Sequence, residues 1–424
     1  MPSLYSCRGR HVVACPARMP PYAIILLFVL AVLALGTGGY WLAVMVRIRR
    51  VRKHTPYLRD GLDVACPDGL VSIVVPAHNE AGVIERLARS VLAQEEIDVE
   101  LIVVLDRCTD DSRARLEEMF EDDSRLTIIE IDHCPDDWAG KCNAARVGSE
   151  VARGEWILFT DADVQLDSLT VRAAVGLAVT EDVDLLSAYT TLTARRWWEK
   201  VVQPVAAVTL MRQFPTDRVN DRGNPRSFAN GQFMLFKAGT YRAIKGHGSV
   251  KDDLLEDIAF ARKVHAANGS VVVVAADGMI ITSMYQSLSS MLLGWKRIFI
   301  ETARRNPGKL RQVALRILGS GLGAALAPAS VLIGVAVLLN GFTLVGVGLL
   351  VSGVFGTVLT LAALTTIFRL SRMPVIGMLG WPVGCLFIAH AVSSGATDLS
   401  RGRPVPWGGR TYVIEPHGNI RPGN

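Results

Sequence analysis

The chain has 424 residues, 50% of them hydrophobic, and a mean hydropathy of +0.30. That leaves room for two or three domains, and the apolar excess lies at the N-terminus and in the last quarter, where membrane segments are expected. With 45 Lys and Arg against 40 Asp and Glu and no basic patch interleaved with aromatics, nucleic acid is excluded as a partner; the seven scattered cysteines form no C-x-x-C pair, which excludes a zinc site or disulfide framework and fits reduced thiols facing the cytosol.

Residues 1–20 form an N-terminal tail with Arg8, Arg10 and Arg18, and either Met1 or Met19 could start the chain. Residues 21–47 read as a transmembrane anchor. Tyr22 to Val46 is free of charge and about the 20 residues a bilayer requires, and it is too long for the apolar stretch of a signal peptide. The basic run Arg47-Ile48-Arg49-Arg50-Val51-Arg52-Lys53 follows at once, which puts the next domain in the cytoplasm. The protein is therefore expected to be integral to the cell or inner membrane.

Residues 70–284 read as a soluble α/β domain. Val71 to Val75 is a β-branched strand ending in Pro76-Ala77-His78-Asn79-Glu80, and a helix follows with Val83, Ile84, Leu87, Val91 and Leu92 on one face. Val99 to Leu105 is a second strand, closed by the polar cluster from Asp106 to Ser112; a helix over 112–120 and a strand over 126–131 come next. Strands alternating with helices, each strand ending in polar residues, predict a parallel, doubly wound sheet. Trp156 to Phe159 is a further strand, and it ends in Thr160-Asp161-Ala162-Asp163. In open α/β sheets ligands bind beyond the carboxyl ends of the strands. Two carboxylates one residue apart there offer hard oxygen ligands to Mg²⁺ or Mn²⁺, which would take further ligands from substrate phosphates. A solvated turn is the plain alternative for a lone Asp-x-Asp. Asp184 to Tyr189 and Val271 to Ala276 are further strands, and Leu254-Leu255-Glu256-Asp257 opens an amphipathic helix. His78, His133, His247 and His265 are spread too widely for a metal cluster.

Residues 285–312 carry Leu288, Met291, Leu292, Trp295 and Phe299 at helical spacing beside Lys296, Arg297, Arg304 and Arg305, the pattern of a helix lying on the membrane surface. Membrane segments are expected over 313–394: 313–339 and 342–368 as a hairpin through Asn340-Gly341, and 374–392, which is shorter and interrupted by Pro382. Arg369 and Arg372 belong inside, as do Arg401, Arg403 and Arg410 of the tail over 395–424. A complete third span would put that last group outside, so a re-entrant segment with a cytosolic tail is the favoured reading.

The ordered set Val75-Pro76-Ala77-His78-Asn79-Glu80, Asp106, Trp138-Ala139-Gly140-Lys141, Thr160-Asp161-Ala162-Asp163, Glu256-Asp257, Met284-Tyr285 and Gly294-Trp295-Lys296-Arg297 resembles the membrane-bound inverting glycosyltransferases of family 2. The tail stretch Gly402 to Tyr412 is part of the likeness. It is nearest to ceramide glucosyltransferase-like enzymes and those associated with hopanoid and carotenoid synthesis. The resemblance implies a GT-A (Rossmann-like) domain with flanking transmembrane helices, and transfer of a single sugar from a nucleotide-sugar donor, a UDP-sugar, to a lipid acceptor, giving a glycolipid. It implies donor contacts at Pro76, Glu80, Asp106, Lys141, Asp161 and Trp295, with Glu80 and Asp106 on the ribose and uracil. It also implies a DXD metal pair at Asp161 and Asp163. Attack of an alcohol on an anomeric carbon needs a carboxylate base opposite the leaving group; Asp257 is the natural choice, supported by Glu256. Acids at a helix start also gain from the dipole, a structural reading that stays open for Glu80, Glu256 and Asp257. Gly-Trp-Lys-Arg replaces the family's Gln-x-x-Arg-Trp element, which weighs against the alternative of a processive polysaccharide synthase. An inert nucleotide-binding membrane scaffold is the alternative outside enzymes.

Overall fold

A computed structural model describes residues 19–65, 68–223, 225–251, 253, 255–407, 410–416, 418 and 420–422. The N-terminal tail up to residue 18, Leu254, and Gly408-Gly409 of the tail motif lie outside the described residues. The first apolar run forms α1 (Pro21–Lys53), which starts on a proline, where the missing N–H costs nothing, and ends with Arg50, Arg52 and Lys53 in its last turn.

The next elements build the sheet. In order they are β1 (Leu70–Ala77), α2 (Ile84–Leu92), β2 (Asp98–Asp106), α3 (Ser112–Phe120), β3 (Leu126–Ile131), α4 (Gly140–Val151), β4 (Trp156–Thr160), β5 (Val164–Leu166), α5 (Thr170–Thr180), β6 (Leu185–Tyr189) and β7 (Thr191–Leu192). There follow α6 (Trp197–Val201), α7 (Gln203–Gln213), α8 (Thr216–Val219), β8 (Phe233–Lys237), α9 (Ala238–Ala243), α10 (Glu256–Ala266), β9 (Val271–Ala275) and β10 (Ile280–Thr282). Seven strands pair in the order β3-β2-β1-β4-β8-β6-β9. Their apolar runs are buried because helices cover both faces: α2 and α5 bury Leu87, Val91 and Val171 on one side, α4 and α10 bury Ala144, Ala145 and Phe260 on the other. β5, β10 and β7 form a small second sheet.

One expectation is corrected. The sheet is not wholly parallel, because β8 runs antiparallel to both β4 and β6. After β6 the chain does not cross back over a face. Helices α6 to α8 stay at the carboxyl edge, so the next strand enters the sheet from that edge and runs the other way. As a result the loop before β8, Asn230-Gly231-Gln232, lies beside the ends of β4 and β6.

The remainder forms a second core. It comprises α11 (Leu288–Thr302), α12 (Pro307–Leu339), α13 (Thr343–Leu370), α14 (Trp381–Ser400) and a three-stranded antiparallel sheet of β11 (Val405–Trp407), β12 (Arg410–Ile414) and β13 (Ile420–Pro422). Trp41 of α1, Trp198 and Val202 from α6 and α7, Met291 and Phe299 of α11, Phe368 of α13 and Trp381 and Ile388 of α14 are buried together there. Among the described residues four segments are long and apolar enough to cross a membrane, 21–53, 307–339, 343–370 and 375–400. Pro382 does not interrupt the last of them, as the sequence had implied. It stands in the first turn of α14, where proline is tolerated, after a 3₁₀ turn at Val375–Gly380.

α14 runs antiparallel to the first half of α12. Its first residue, Trp381, donates from Nε1 to Ser320 Oγ at 3.0 Å, and its last, Ser400, accepts from Arg311 at 3.4 Å. Near its end Asp398 pairs with Lys296 of α11 at 2.9 Å. α1, α12 and α13 meet through small residues, which let backbones approach closely. A Cβ on Gly356 would lie 2.5 Å from the Ala34 carbonyl oxygen. Gly356→Val is therefore expected to destabilise the helix bundle by about 1–3 kcal/mol, the usual cost of overpacking, read as a lower thermal midpoint of the detergent-solubilised chain; an unchanged midpoint would contradict this packing.

Candidate active site

The carboxyl ends of β1, β2 and β4 and the start of β8 converge, and acidic side chains from four segments meet there: Glu80, Asp106, Asp161 with Asp163, and Glu256 with Asp257. β4 ends at Thr160, whose hydroxyl donates to the Gln232 carbonyl at 2.8 Å, tying the Asp161-Ala162-Asp163 turn to the loop before β8. Lys141, in the first turn of α4, reaches across the gap. Its Nζ lies 2.8 Å from Asp161 Oδ1 and 2.7 Å from Glu256 Oε1. One ammonium thus links the Asp-x-Asp turn to the acidic pair that opens α10. Burial opposes its charge, but Asp161 and Glu256 outweigh burial and hold the Lys141 pKa well above its ordinary value.

Asp257 is the second residue of α10. Its Oδ2 accepts the Gly231 backbone N–H at 2.9 Å and its Oδ1 accepts that of Ile258 at 2.7 Å. Burial, reinforced by the Glu256 charge, nevertheless pushes its pKa up to about 7. A carboxylate fixed by two backbone donors and poised near neutral pH is suited to taking a proton. Asp163 is likewise pushed up to about 7, by burial and then by Asp161 and Glu80. Glu80 is raised by burial and by the charges of Asp161 and Asp110, so it faces the Asp-x-Asp turn as well as the end of β1.

Asp106, at the end of β2, is buried, and Arg107 grips both of its oxygens at 2.8 Å. His78 Nδ1 lies 2.6 Å from the Asp106 carbonyl oxygen. Pro76 sits in the last turn of β1, half-buried. Trp295 is placed differently from the other predicted residues. It is buried in the second core, tilted against Phe299 at 5.7 Å between ring centroids, and its indole N–H has no hydrogen-bond partner among the described residues. Its connection to the carboxylates runs through its neighbour Gly294, which packs against the Tyr285 ring. Burial and then the Asp163 charge raise the Tyr285 hydroxyl pKa.

Gly231 was not singled out by sequence reasoning, because its contribution is a backbone N–H. A Cβ there would lie 3.2 Å from Lys141 Nζ and 3.4 Å from Glu256 Oε1, so glycine keeps the space between the two acidic pairs open. His247 is a buried ring against Phe159 and Phe260, held neutral by burial with its pKa lowered to about 3, which is a packing role.

The residues fit a divalent cation. Asp163 Oδ1 is buried with no hydrogen-bond partner among the described residues, and an ionised oxygen left so is costly unless a cation meets it. No cluster of three or more His, Cys, Asp or Glu capable of holding a metal forms among the described residues. A cation here would be held by Asp161 and Asp163 and completed by oxygens of a ligand, as Mg²⁺ often is.

The sheet edge thus gathers a carboxylate turn, a basic bridge and a second acidic pair around one gap. Residues 72–244 match Glycosyl transferase family 2. The chain matches that family from β1 through α9. It is 23% identical over 270 residues to 4,4'-diaponeurosporenoate glycosyltransferase of Staphylococcus haemolyticus (strain JCSC1435), covering 60% of this chain and 69% of that protein. It is 31% identical over 117 residues to the uncharacterized glycosyltransferase EpsJ of Bacillus subtilis (strain 168), covering 28% of this chain and 33% of that one. A mannosyltransferase of Pyrobaculum calidifontis, PcManGT, solved with GDP-Man and Mn²⁺, aligns over 87% of this chain and 98% of its own at 16% identity and a TM-score of 0.46.

A cation at Asp163 competes with protons for the same oxygens. Because the Asp163 pKa is raised to about 7, proton competition with a cation would grow as the pH falls below that value. The rise in thermal midpoint on adding Mn²⁺ is therefore expected to be small at pH 5, full at pH 8 and absent in Asp163→Asn; a shift of equal size in the variant would remove Asp163 from the site.

Proposed function

We propose that the chain is an inverting enzyme that transfers one sugar from a nucleotide-sugar donor, a UDP-sugar, to a lipid acceptor at the cytosolic leaflet. The observation that carries this reading is the Lys141 bridge, which brings the Asp161–Asp163 turn and the Glu256–Asp257 pair to opposite sides of one gap. On one side Asp161 and Asp163 would hold a divalent cation, and Lys141 exchanges a carboxylate for a phosphate oxygen when the donor arrives. Glu80, Asp106 and Pro76, at the ends of the first two strands, hold the nucleoside. Trp295, buried in the second core, acts on the donor side only through its neighbour Gly294 and the Tyr285 ring. A bound cation supplies positive charge to the leaving diphosphate.

On the other side Asp257 removes the acceptor hydroxyl proton as the oxygen attacks the anomeric carbon. The bond from that carbon to the diphosphate oxygen breaks on the opposite face, so configuration inverts. Glu256 keeps the Asp257 pKa high and holds Lys141 in place. Single addition is supported by Gly-Trp-Lys-Arg at 294–297 in place of the processive element, and a lipid acceptor by the second core and by the name of the diaponeurosporenoate relative.

The same reading places the catalytic domain in the cytoplasm with three spans. α12 leaves that side and α13 returns to it. α14 then runs antiparallel to α12, so it heads back toward the catalytic domain and does not cross. The exposed side chains change accordingly, from Ile376 and Leu379 of the preceding 3₁₀ turn and Val383 and Leu386 of α14 to His390, Ser393 and Ser400. A half-inserted helix of this kind leaves Arg401 and Arg403 on the cytosolic side, as the positive-inside rule requires.

Two tests follow. Asp257→Asn is expected to lower turnover by roughly 10²–10⁴-fold with donor affinity nearly unchanged, since a group acting only in proton transfer contributes little to ground-state binding; equal loss of affinity would make Asp257 a ligand or a fold-holding acid. In the parent, turnover is expected to rise with pH through about 7 as Asp257 ionises. For topology, a green fluorescent protein fused at the C-terminus is expected to fluoresce in bacterial cells and an alkaline phosphatase fusion to be inactive. The opposite pair of results would make α14 a fourth span.

A further inference from the structure

A cavity of about 1110 Å³ lies where the catalytic domain meets the membrane helices. Its apolar walls come from the cytosolic half of α1, from α7 and from α12, with Trp41, Val44, Val208 and Ile317 among the lining side chains. Its floor is the carboxyl end of β6, Tyr189 to Thr191. That is the same sheet edge as the Asp-x-Asp turn, two strands along in the order β4-β8-β6, or roughly 10 Å at the usual strand spacing. The Thr190 hydroxyl hydrogen-bonds the Gln232 side chain, and the adjacent Gly231 N–H is held by Asp257.

The charge around the cavity is one-sided. Arg47, Arg52, Arg212, Arg316, Arg369 and Arg372 line it, against Asp277 alone among acidic residues. Arg47 is paired with Asp217 and Arg372 with Asp277. Arg52, Arg212, Arg316 and Arg369 form no ion pair among the described residues; Arg212 donates to the neutral Tyr40 hydroxyl at 2.6 Å. Basic residues at the inner end of a span need no special cause. Arg316 is not at the end. A side chain at Gly323 of α12 would meet Thr37 of α1, and seven residues along each antiparallel helix Arg316 lies level with Val44. There α1 is still uncharged and exposes Leu42 and Val46. Arg316 is an exposed side chain on the cavity wall, about one turn deeper than the basic end of α1 and without an ion pair among the described residues, so an anionic ligand would give it a partner.

We propose that this cavity holds the acceptor, and that the acceptor is a lipid whose head carries an anionic group, phosphate or carboxylate, beside the hydroxyl that is glycosylated. The apolar chain lies against α1, α7 and α12. The anionic oxygens meet the Arg316 and Arg212 guanidinium groups, whose forked donors match carboxylate and phosphate. The hydroxyl points along the β6 edge toward Asp257. The assignment of an acceptor rests on the glycosyl-transfer reading; the lipid site and its charge preference do not.

The test uses the full chain in phosphatidylcholine nanodiscs, with two photoreactive probes that share a diazirine-bearing tail: a phosphatidic acid and the corresponding diacylglycerol. The anionic probe is expected to label cavity-lining residues of α7 and α12 roughly tenfold more than the neutral one, in line with one or more charge-assisted contacts. Arg316→Gln should remove that preference, Val208→Trp should block labelling by filling the space, and inorganic phosphate should not compete. Equal labelling by both probes would overturn the charge preference. Labelling confined to the outward residues Leu315 and Leu322 would overturn the lipid site, and competition by phosphate would mean a free-anion site instead. Nucleoside diphosphate release is measured in the same discs. Labelling without any donor cleavage would sink the transferase reading alone, and cleavage without cavity labelling would sink this proposal alone.

Discussion

The site depends on concentrating negative charge in one place and offsetting it with a single lysine. Glu80, Asp161, Asp163, Glu256 and Asp257 come from three separate stretches of chain, and mutual repulsion raises the pKa of Glu80, Asp163 and Asp257 on top of burial. Lys141 is the cation positioned between the Asp161 and Glu256 carboxylates. Such an arrangement is poorly matched to simple stability, since ionised groups of one sign in a low dielectric are costly. It is well matched to a ligand that brings both a divalent cation and two phosphates, because each component then finds a partner of opposite sign. The fold delivers these groups to one edge: strands β1 and β4 and helix α10 bring the acids, and the loop before the reversed β8 supplies the Gly231 N–H to Asp257.

The same edge faces the membrane helices. Helices α6 and α7 leave the sheet at the carboxyl end of β6 and β7 and bury Trp198, Val202, Val205 and Ala206 against α11, α13 and α14. Two cores, one around the sheet and one around the membrane-side helices, therefore share a layer of short helices. The Arg47–Asp217 and Arg372–Asp277 pairs stitch the inner ends of α1 and α13 to the catalytic domain.

Much of this was legible in the residues. The β-branched runs ending in polar clusters located β1, β2, β3 and β4 within one or two positions, because buried strands must be apolar and ligand-binding edges must not. The Asp-x-Asp turn was found for the same reason, whereas Lys141 and the Glu256–Asp257 pair came from the ordered motifs that resemble family 2 glycosyltransferases. What could not be read was relational. The reversal of β8 depends on where α6 to α8 pack, and their short amphipathic stretches carry no length signal. Gly231 acts through its backbone, which no side-chain pattern reports. Lys141 was read as a partner for phosphate, while its present partners are carboxylates brought in by tertiary structure. Pro382 looked like an interruption because composition does not show that a helix begins there. α12 starts at Pro307, earlier than the apolar run, because its first turns carry the polar Lys309 and Arg311, the latter donating to Ser400 of α14.

The central claim is that this edge transfers a sugar from a nucleotide to a lipid. The most direct measurement incubates the detergent-purified chain and Mn²⁺ with a panel of sugar nucleotides, with and without lipids extracted from its own membranes, and follows nucleoside diphosphate release and lipid mass. Release that depends on added lipid, with one lipid gaining the mass of a single sugar residue, is the predicted result. No lipid-dependent release with any donor, or products that grow by many sugars, would contradict it.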